Sequence, residues 1–203
     1  MKLYFSPGAC SLSPHIALIE AGLRFETERV DLKQKKTASG RDFNEINPKG
    51  YVPVLELDDG TLLTEGPVIV QYIADRAPAK KLAPAAESGD RYRLQEWLTF
   101  INSEIHKSFG PLFDPKGLEE AKNAARLKIA KRLAIAEKKL SEKPYLMGDA
   151  YSVADGYLYV MLRWCDGMNL DISNLQGLVA FKQRISQRPA VQEALAAEGL
   201  SKG

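Results

Sequence analysis

The chain has 203 residues, and its 28 basic and 26 acidic side chains leave a formal net charge of +2 with no long block of either sign. That balance argues against a nucleic-acid or polyanion binder, and no stretch approaches the ~18 uninterrupted apolar residues of a membrane span. The two cysteines, Cys10 and Cys165, lie far apart and lack metal-ligand spacing, so neither a structural disulfide nor a metal site is expected, and a reducing cytoplasm fits best.

Met1-Lys2-Leu3-Tyr4 enters a strand pattern at once, which leaves no room for a signal peptide. Residues 2–5 and 25–32 read as strands, with a helix over 13–23 between them that stops at Gly22. Pro14 is compatible with the first turn of that helix, where its missing N–H is not needed. A short helical piece near 42–46 follows, then strands at 52–57 and 61–64 joined by Asp58-Asp59-Gly60, a hairpin signal. A helix from Gly66 to about Ala77 completes the order β-α-β-(α)-β-β-α, the layout of a small α/β sheet covered by helices.

Residues 78–89, rich in Pro and Ala, read as a linker. Beyond it the pattern turns helical at about 91–112, 118–142, 153–168, 175–187 and 189–198. Ser152 and Asp155 form a capping-box signature at the start of the third of these. Gly156 stands where a bulky aliphatic would pack on Tyr151, which costs the helix ~1 kcal/mol relative to alanine. The expected organisation is therefore an α/β domain over 1–80 and an all-α domain over 88–203, with no internal repeat.

Three stretches carry candidate chemistry. In "SPGACSLS", Cys10 sits at a helix start, where unpaired N–H groups of the first turn are expected to favour a thiolate. An inert packing residue is the alternative. Ser13 stands where a dithiol redox protein keeps its second cysteine, so a disulfide made at Cys10 needs an outside thiol to resolve it. Val52-Pro53 reads as a cis bond at a strand start, with the Val52 backbone groups turned outward to pair with an extended peptide. Glu65-Gly66-Pro67 opens a helix whose free N–H groups suit a carboxylate, while Glu65 suits an ammonium. Lys35, in the loop after the second strand, could hold a second carboxylate or simply be solvated like its neighbours Lys33 and Lys36.

Taken together, "GACSLSPHIAL", "NPKGYVP", "LTEGP", "EIHKSF" and "SVAD", in this order, make the chain resemble the bacterial beta-class glutathione S-transferases over essentially its whole length. The resemblance implies a thioredoxin-like N-terminal domain, a helical C-terminal domain and a cytoplasmic homodimer that uses glutathione as co-substrate. It further implies that Lys35 binds the glycyl carboxylate and that Val52, held by Pro53, pairs with the cysteinyl unit. Glu65 and Gly66 would bind the γ-glutamyl end, and Cys10 would face the glutathione sulfur. Thr99, Ser103 and Glu104 would complete the partner subunit's site. Relatives often carry asparagine at the position of Thr99, so a hydroxyl replaces an amide there.

Thr99, Ser103 and His106 also fall at spacings of four and three, a polar stripe on a helix whose apolar side is Leu94, Trp97, Leu98, Ile101 and Ile105. His106 is expected to act as a polar partner of sulfur or water. Ser11 competes with Cys10 for the role at the helix end, and Tyr4, the counterpart of the early tyrosine of other classes, is a weaker competitor. His15 and Cys165 read as structural. Lys107 and Trp164 are expected to wall the pocket of a second, electrophilic substrate. The implied activity is conjugation of the glutathione thiolate to small electrophiles, as in detoxification, with Cys10-dependent thiol–disulfide exchange or reductive dehalogenation as a second activity. The alternative from another class is a non-catalytic scaffold of this fold used for protein–protein interaction.

Overall fold

A computed structural model describes residues 1–200. Two compact units emerge: Met1–Ala83 joined by the described residues from Arg188 on, and Pro84–Gln187.

The first unit is built on a sheet of β1 (Lys2–Phe5), β2 (Glu26–Asp31), β3 (Lys36–Thr37), β4 (Val54–Glu56) and β5 (Leu62–Thr64) in the order β3-β2-β1-β4-β5. β1 runs parallel to β2 and antiparallel to β4, with Leu3 opposite both Thr27 and Leu55. As the central strand, β1 buries Leu3 and Tyr4 on opposite faces, so helices must cover both sides. The β4–β5 hairpin closes on Asp58-Asp59-Gly60: Gly60 takes φ +84° and Asp59 accepts from the Thr61 N–H at 2.9 Å. β3, two residues pairing with β2, was not foreseen, because so short a strand has no period to read.

The helices of this unit are α1 (Leu12–Ala21), α2 (Phe43–Ile46) and α3 (Gly66–Arg76). α1 is buried nearly all round and ends on Gly22 in the left-handed region at φ +67°. A helix with so little exposed face needs cover from more than the sheet. α3 packs on one flank of α1, and α9 (Pro189–Ala197) packs on another. Arg188 clamps α9 to the last turn of α1 through a two-pronged pair with Glu20, at 2.6 and 3.0 Å. Just past α9, the buried Glu198 accepts from the Gly8 N–H at 2.9 Å and lies 2.9 Å from Nδ1 of His15. The expected boundary, which assigned everything from residue 88 on to the helical domain, therefore differs from this grouping at its C-terminal end.

The second unit is helical. α4 (Gly89–Phe100) starts on Ser88, whose hydroxyl accepts from the Arg91 N–H at 3.2 Å. The single helix expected over 91–112 is instead interrupted: a π segment (Ile101–Ile105) and a 3-10 segment (His106–Phe109) precede a short α5 (Gly110–Phe113). α6 (Glu119–Glu142) buries Ala125, Ile129, Leu133, Ala136 and Leu140 along one stripe, and α7 (Val153–Gly167) is buried over most of its circumference. At its start Asp155, fully buried, accepts from the N–H groups of Leu146 and Ser152 and from the Ser152 hydroxyl at 2.7–2.9 Å. The capping box thus also pins the preceding loop, while Tyr151 packs its ring on Tyr145. α8 (Gln176–Ser186) approaches α6 so closely that a Cβ on Gly177 would lie 2.8 Å from the Ser141 nitrogen. The Glu137 carboxylate accepts the N–H groups of Gly177 and Leu178 there. Among the described residues no helix is long and apolar enough to cross a membrane.

Candidate active site

Cys10 lies in the turn between β1 and α1, half-buried, with Sγ 3.3 Å from the Val52 carbonyl oxygen, to which the thiol donates. The Val52–Pro53 bond is cis, in line with the sequence reading. Gly8 shapes the turn at φ +72°, and its N–H is the one held by Glu198. The N–H groups of Leu12 and Ser13 donate to the carbonyls of Ala9 and Cys10 at 3.0 and 3.1 Å. These first-turn donors are therefore satisfied by the tight entry into the helix and do not serve the sulfur. That corrects one part of the argument for Cys10.

Ser11 is corrected more fully. It is completely buried, and its hydroxyl accepts from the Ser6 N–H at 3.1 Å and donates to the Ser6 carbonyl at 3.3 Å. A side chain locked onto its own turn closes that loop and presents nothing to a substrate. Tyr4 is also turned away: its phenol donates to Glu56 at 2.7 Å and is pushed up to about 12 by burial and then by that bond.

The other expected groups of this unit converge on one short segment, residues 49–52. Lys35, in the left-handed region at φ +55°, donates from Nζ to the Gly50 carbonyl at 2.6 Å. Glu65 receives Lys49 Nζ and the Tyr51 hydroxyl on Oε1, each at 2.8 Å. Lys49 also donates to the Thr64 hydroxyl at 2.9 Å. The bond to Glu65 holds the Lys49 ammonium above its ordinary range, and the Tyr51 phenol is raised by its own hydrogen bond to Glu65, aided by partial burial. With Cys10 on Val52, a thiol, an ammonium and a carboxylate are all anchored to this one run.

Glu65 takes φ +67° and ψ +109°, a conformation costing about 1–3 kcal/mol for a residue with a side chain. It aims the carboxylate back over the 49–52 run while its carbonyl accepts the N–H groups of Val68 and Ile69 in the first turn of α3. Gly66 brings that turn against Pro53: a Cβ there would be 3.9 Å from the proline ring. Lys49 and Tyr51 were missed in the sequence. They flank Gly50, which takes φ +69° in a turn closed by its N–H on the Asn47 carbonyl, so no strand or helix period marks them.

In the helical unit, Thr99 and Ser103 are exposed, and Ser103 donates to the Thr99 carbonyl at 2.9 Å. Glu104 forms ion pairs with Arg132 at 2.8 Å and Lys128 at 4.0 Å, although the Arg132 Nε–H is not aimed well enough to make a hydrogen bond. His106 does not continue the exposed stripe. It faces α7, with Nδ1 2.6 Å from the Tyr157 hydroxyl and its ring edge-on to Trp164 at 4.9 Å. The wider turn of the π segment changes the register between Ser103 and His106, so a period of 3.6 misplaces the histidine. Trp164 also packs edge-on to Phe109 and Phe113, at 5.4 and 4.9 Å, and Phe113 is half-exposed. Lys107 is exposed. Tyr157, Phe109 and Phe113 were not anticipated, and no local motif marks them.

A thioredoxin-like sheet unit with a thiol, an ammonium and a carboxylate on one short run, in a chain whose second unit is all-helical, defines the class of the two-domain glutathione transferases. The family description "Glutathione S-transferase, N-terminal domain" matches residues 8–76, and "Glutathione S-transferase, C-terminal domain" matches residues 97–189. Glutathione S-transferase GstA of Escherichia coli O157:H7 is 46% identical over 98% of this chain and 100% of its own. A solved ternary complex of BphK, a bacterial GST, is 60% identical with a TM-score of 0.98, covering 98% of this chain and 100% of its own. The bacterial beta-class glutathione S-transferase of Sphingomonas chungbukensis is 49% identical with a TM-score of 0.96, over 99% and 100%. The chain belongs to the glutathione S-transferase family of enzymes, in its bacterial beta class.

Proposed function

We propose that this enzyme binds glutathione along residues 49–52 and transfers its sulfur to small electrophiles. The observation that carries this is the convergence of Lys35, Cys10 and Glu65 on that run. Glutathione has a glycyl carboxylate, a central cysteine and a free α-amino-acid end, which match an ammonium, a polar thiol environment and a carboxylate in turn. Lys35 takes the glycyl carboxylate, and the Val52 backbone beside Pro53 pairs with the cysteinyl unit. Glu65 takes the α-ammonium, and the Gly66 end of α3 takes the α-carboxylate. Lys49 and Tyr51 hold Glu65 in position for this. Thr99, Ser103 and Glu104 contribute to the partner subunit's site in a cytoplasmic homodimer.

In conjugation the glutathione thiolate attacks an electrophilic carbon: the C–S bond forms as the leaving group departs with its electron pair. A thiol near its free pKa of about 8.5 is mostly protonated at neutral pH, so the protein's polar groups act by favouring the thiolate. His106 is the polar partner of the sulfur or of water, and Trp164 and Lys107 border the electrophile. In a second activity the Cys10 thiolate attacks the glutathione sulfur of a disulfide between glutathione and another thiol, forming a Cys10–glutathione mixed disulfide and expelling the other thiolate. A second glutathione then attacks the mixed disulfide, restoring Cys10. In reductive dehalogenation the glutathione sulfur displaces halide from the ring. Cys10 then attacks that sulfur, so that the C–S bond breaks and the ring carbon takes a proton. A second glutathione frees Cys10 from the mixed disulfide as glutathione disulfide.

Retention on immobilised glutathione, with turnover of aryl halides, epoxides and disulfides measured in parallel, tests this reading. Specific elution by free glutathione together with conjugating activity is expected. A folded protein that neither binds nor turns over any of these would overturn the reading and leave the scaffold alternative. Sedimentation at micromolar concentration is expected to give a dimer.

A further inference from the structure

We propose that Tyr157, oriented by Asn102, fixes His106 as the tautomer protonated on Nδ1, so that Nε2 carries the ring's lone pair. Three groups in the helical unit form a chain. Asn102 lies in the π segment, His106 follows it four residues later, and both reach the same hydroxyl, that of Tyr157 on α7. Tyr157 is almost wholly buried, and its ring meets His106 edge-on at 5.9 Å and 90°. Trp164, two turns further along α7, contacts the imidazole from the same helix face at 4.9 Å. The imidazole is thus held by geometry from two sides.

The proton count then decides the tautomer. Tyr157 has a single hydroxyl proton and donates it to Oδ1 of Asn102 at 3.0 Å, an oxygen that can only accept. What the phenol presents to Nδ1 of His106, 2.6 Å away, is therefore a lone pair. Nδ1 must supply the hydrogen, and in the neutral ring the other nitrogen is then the base. Asn102 acts through Tyr157, and Tyr157 through His106, so both are positioning residues. The consequence for catalysis rests on the proposed role of His106: a basic Nε2 can accept a proton from a thiol or a water, whereas the opposite tautomer could only donate from that position.

The test reads the tautomer directly, by nitrogen-15 NMR of imidazole-labelled protein without ligand, at a pH where the ring is neutral. The chain has only two histidines, so a His106→Asn variant assigns the two signals. Wild type is expected to show His106 protonated on Nδ1. Tyr157→Phe removes the acceptor, and Asn102→Ala frees the phenol proton to turn toward Nδ1; both are expected to move the proton to Nε2. Asn102→Asp keeps an acceptor for the phenol and is expected to retain the wild-type tautomer. An Nε2-protonated wild type, or an Asn102→Ala protein that keeps Nδ1–H, would overturn the proposal. Should Tyr157→Phe disturb folding, the Asn102 pair still decides the matter.

In steady-state conjugation, Tyr157→Phe and Asn102→Ala are expected to lower kcat about ten-fold while KM for glutathione stays within about two-fold. A shifted tautomer with unchanged kcat would uphold the positioning and remove His106 from the chemistry, so the two readings fail separately.

Discussion

Each unit holds a cysteine, and Glu65 in one and Asp155 in the other each stand at the start of a helix, yet the surroundings of the two pairs are opposite. Cys10 is half-buried in a turn, with its thiol on the Val52 carbonyl. Cys165 is fully buried in α7, and burial pushes its thiol up to about 12, so it stays protonated. Glu65 precedes α3 in a strained conformation, partly exposed, with Lys49 and Tyr51 on one oxygen. Asp155 lies in the first turn of α7, wholly buried, with the Leu146 and Ser152 donors on its oxygens. The functional groups, a thiol and a carboxylate, are shared; access to solvent differs. The exposed pair can meet a ligand, and the buried pair can only hold the fold.

The largest expected effect breaks this comparison at its sulfur. Cys10→Ala should reduce thiol–disulfide exchange to the uncatalysed rate while lowering aryl-halide conjugation only in part. Mass spectrometry of oxidised wild type should find one glutathione, on Cys10. Exchange surviving in the variant, or an adduct on Cys165, would assign the reactive thiol to the wrong unit.

Next comes the buried carboxylate. Asp155→Ala leaves two backbone N–H groups and a hydroxyl without their acceptor, at about 1–3 kcal/mol per buried group. Denaturant unfolding should show a loss of about 3 kcal/mol or more, with glutathione affinity nearly unchanged in the protein that remains folded. The exposed carboxylate should behave the other way. Glu65→Ala is expected to weaken glutathione binding by about 1.5–3 kcal/mol, the range for hydrogen bonds to a charged group. Its folding stability should change little, because the variant loses the exposed ion pair with Lys49. Calorimetry that found equal affinities would remove Glu65 from the site.

The smallest effect concerns Tyr4, which donates to Glu56 inside the sheet unit. Tyr4→Phe should leave conjugation within about two-fold of wild type, whereas a tyrosine that activated the thiol would cost about a hundred-fold. The phenol's raised pKa, about 12, makes its contribution to stability complete below its ordinary value near 10. That contribution is lost as pH rises through about 12. Wild type should therefore show an alkaline loss of stability in this window that the variant lacks.

The sheet unit's half of the site was readable because its chemistry sits where the chain changes direction. Cys10 before a helix, Val52-Pro53 before a strand and Glu65-Gly66-Pro67 before another helix are each marked by glycine, proline or a polar break, within a few residues. The sequence by itself determined those positions, the hairpin, the capping box and the family. Tertiary structure alone decided which neighbours meet them. Packing buried Ser11 and tied its hydroxyl to Ser6, gathered Lys49 and Tyr51 onto Glu65, and carried α9 to the sheet unit through Glu20 and Glu198. It also turned His106 toward Tyr157, 51 residues away, by way of a π segment that leaves no trace in a 3.6-residue period. Local backbone preferences act over a few residues and are written in the order of the chain. Burial and long-range hydrogen bonds depend on which surfaces close over one another, and only the folded chain brings those surfaces together.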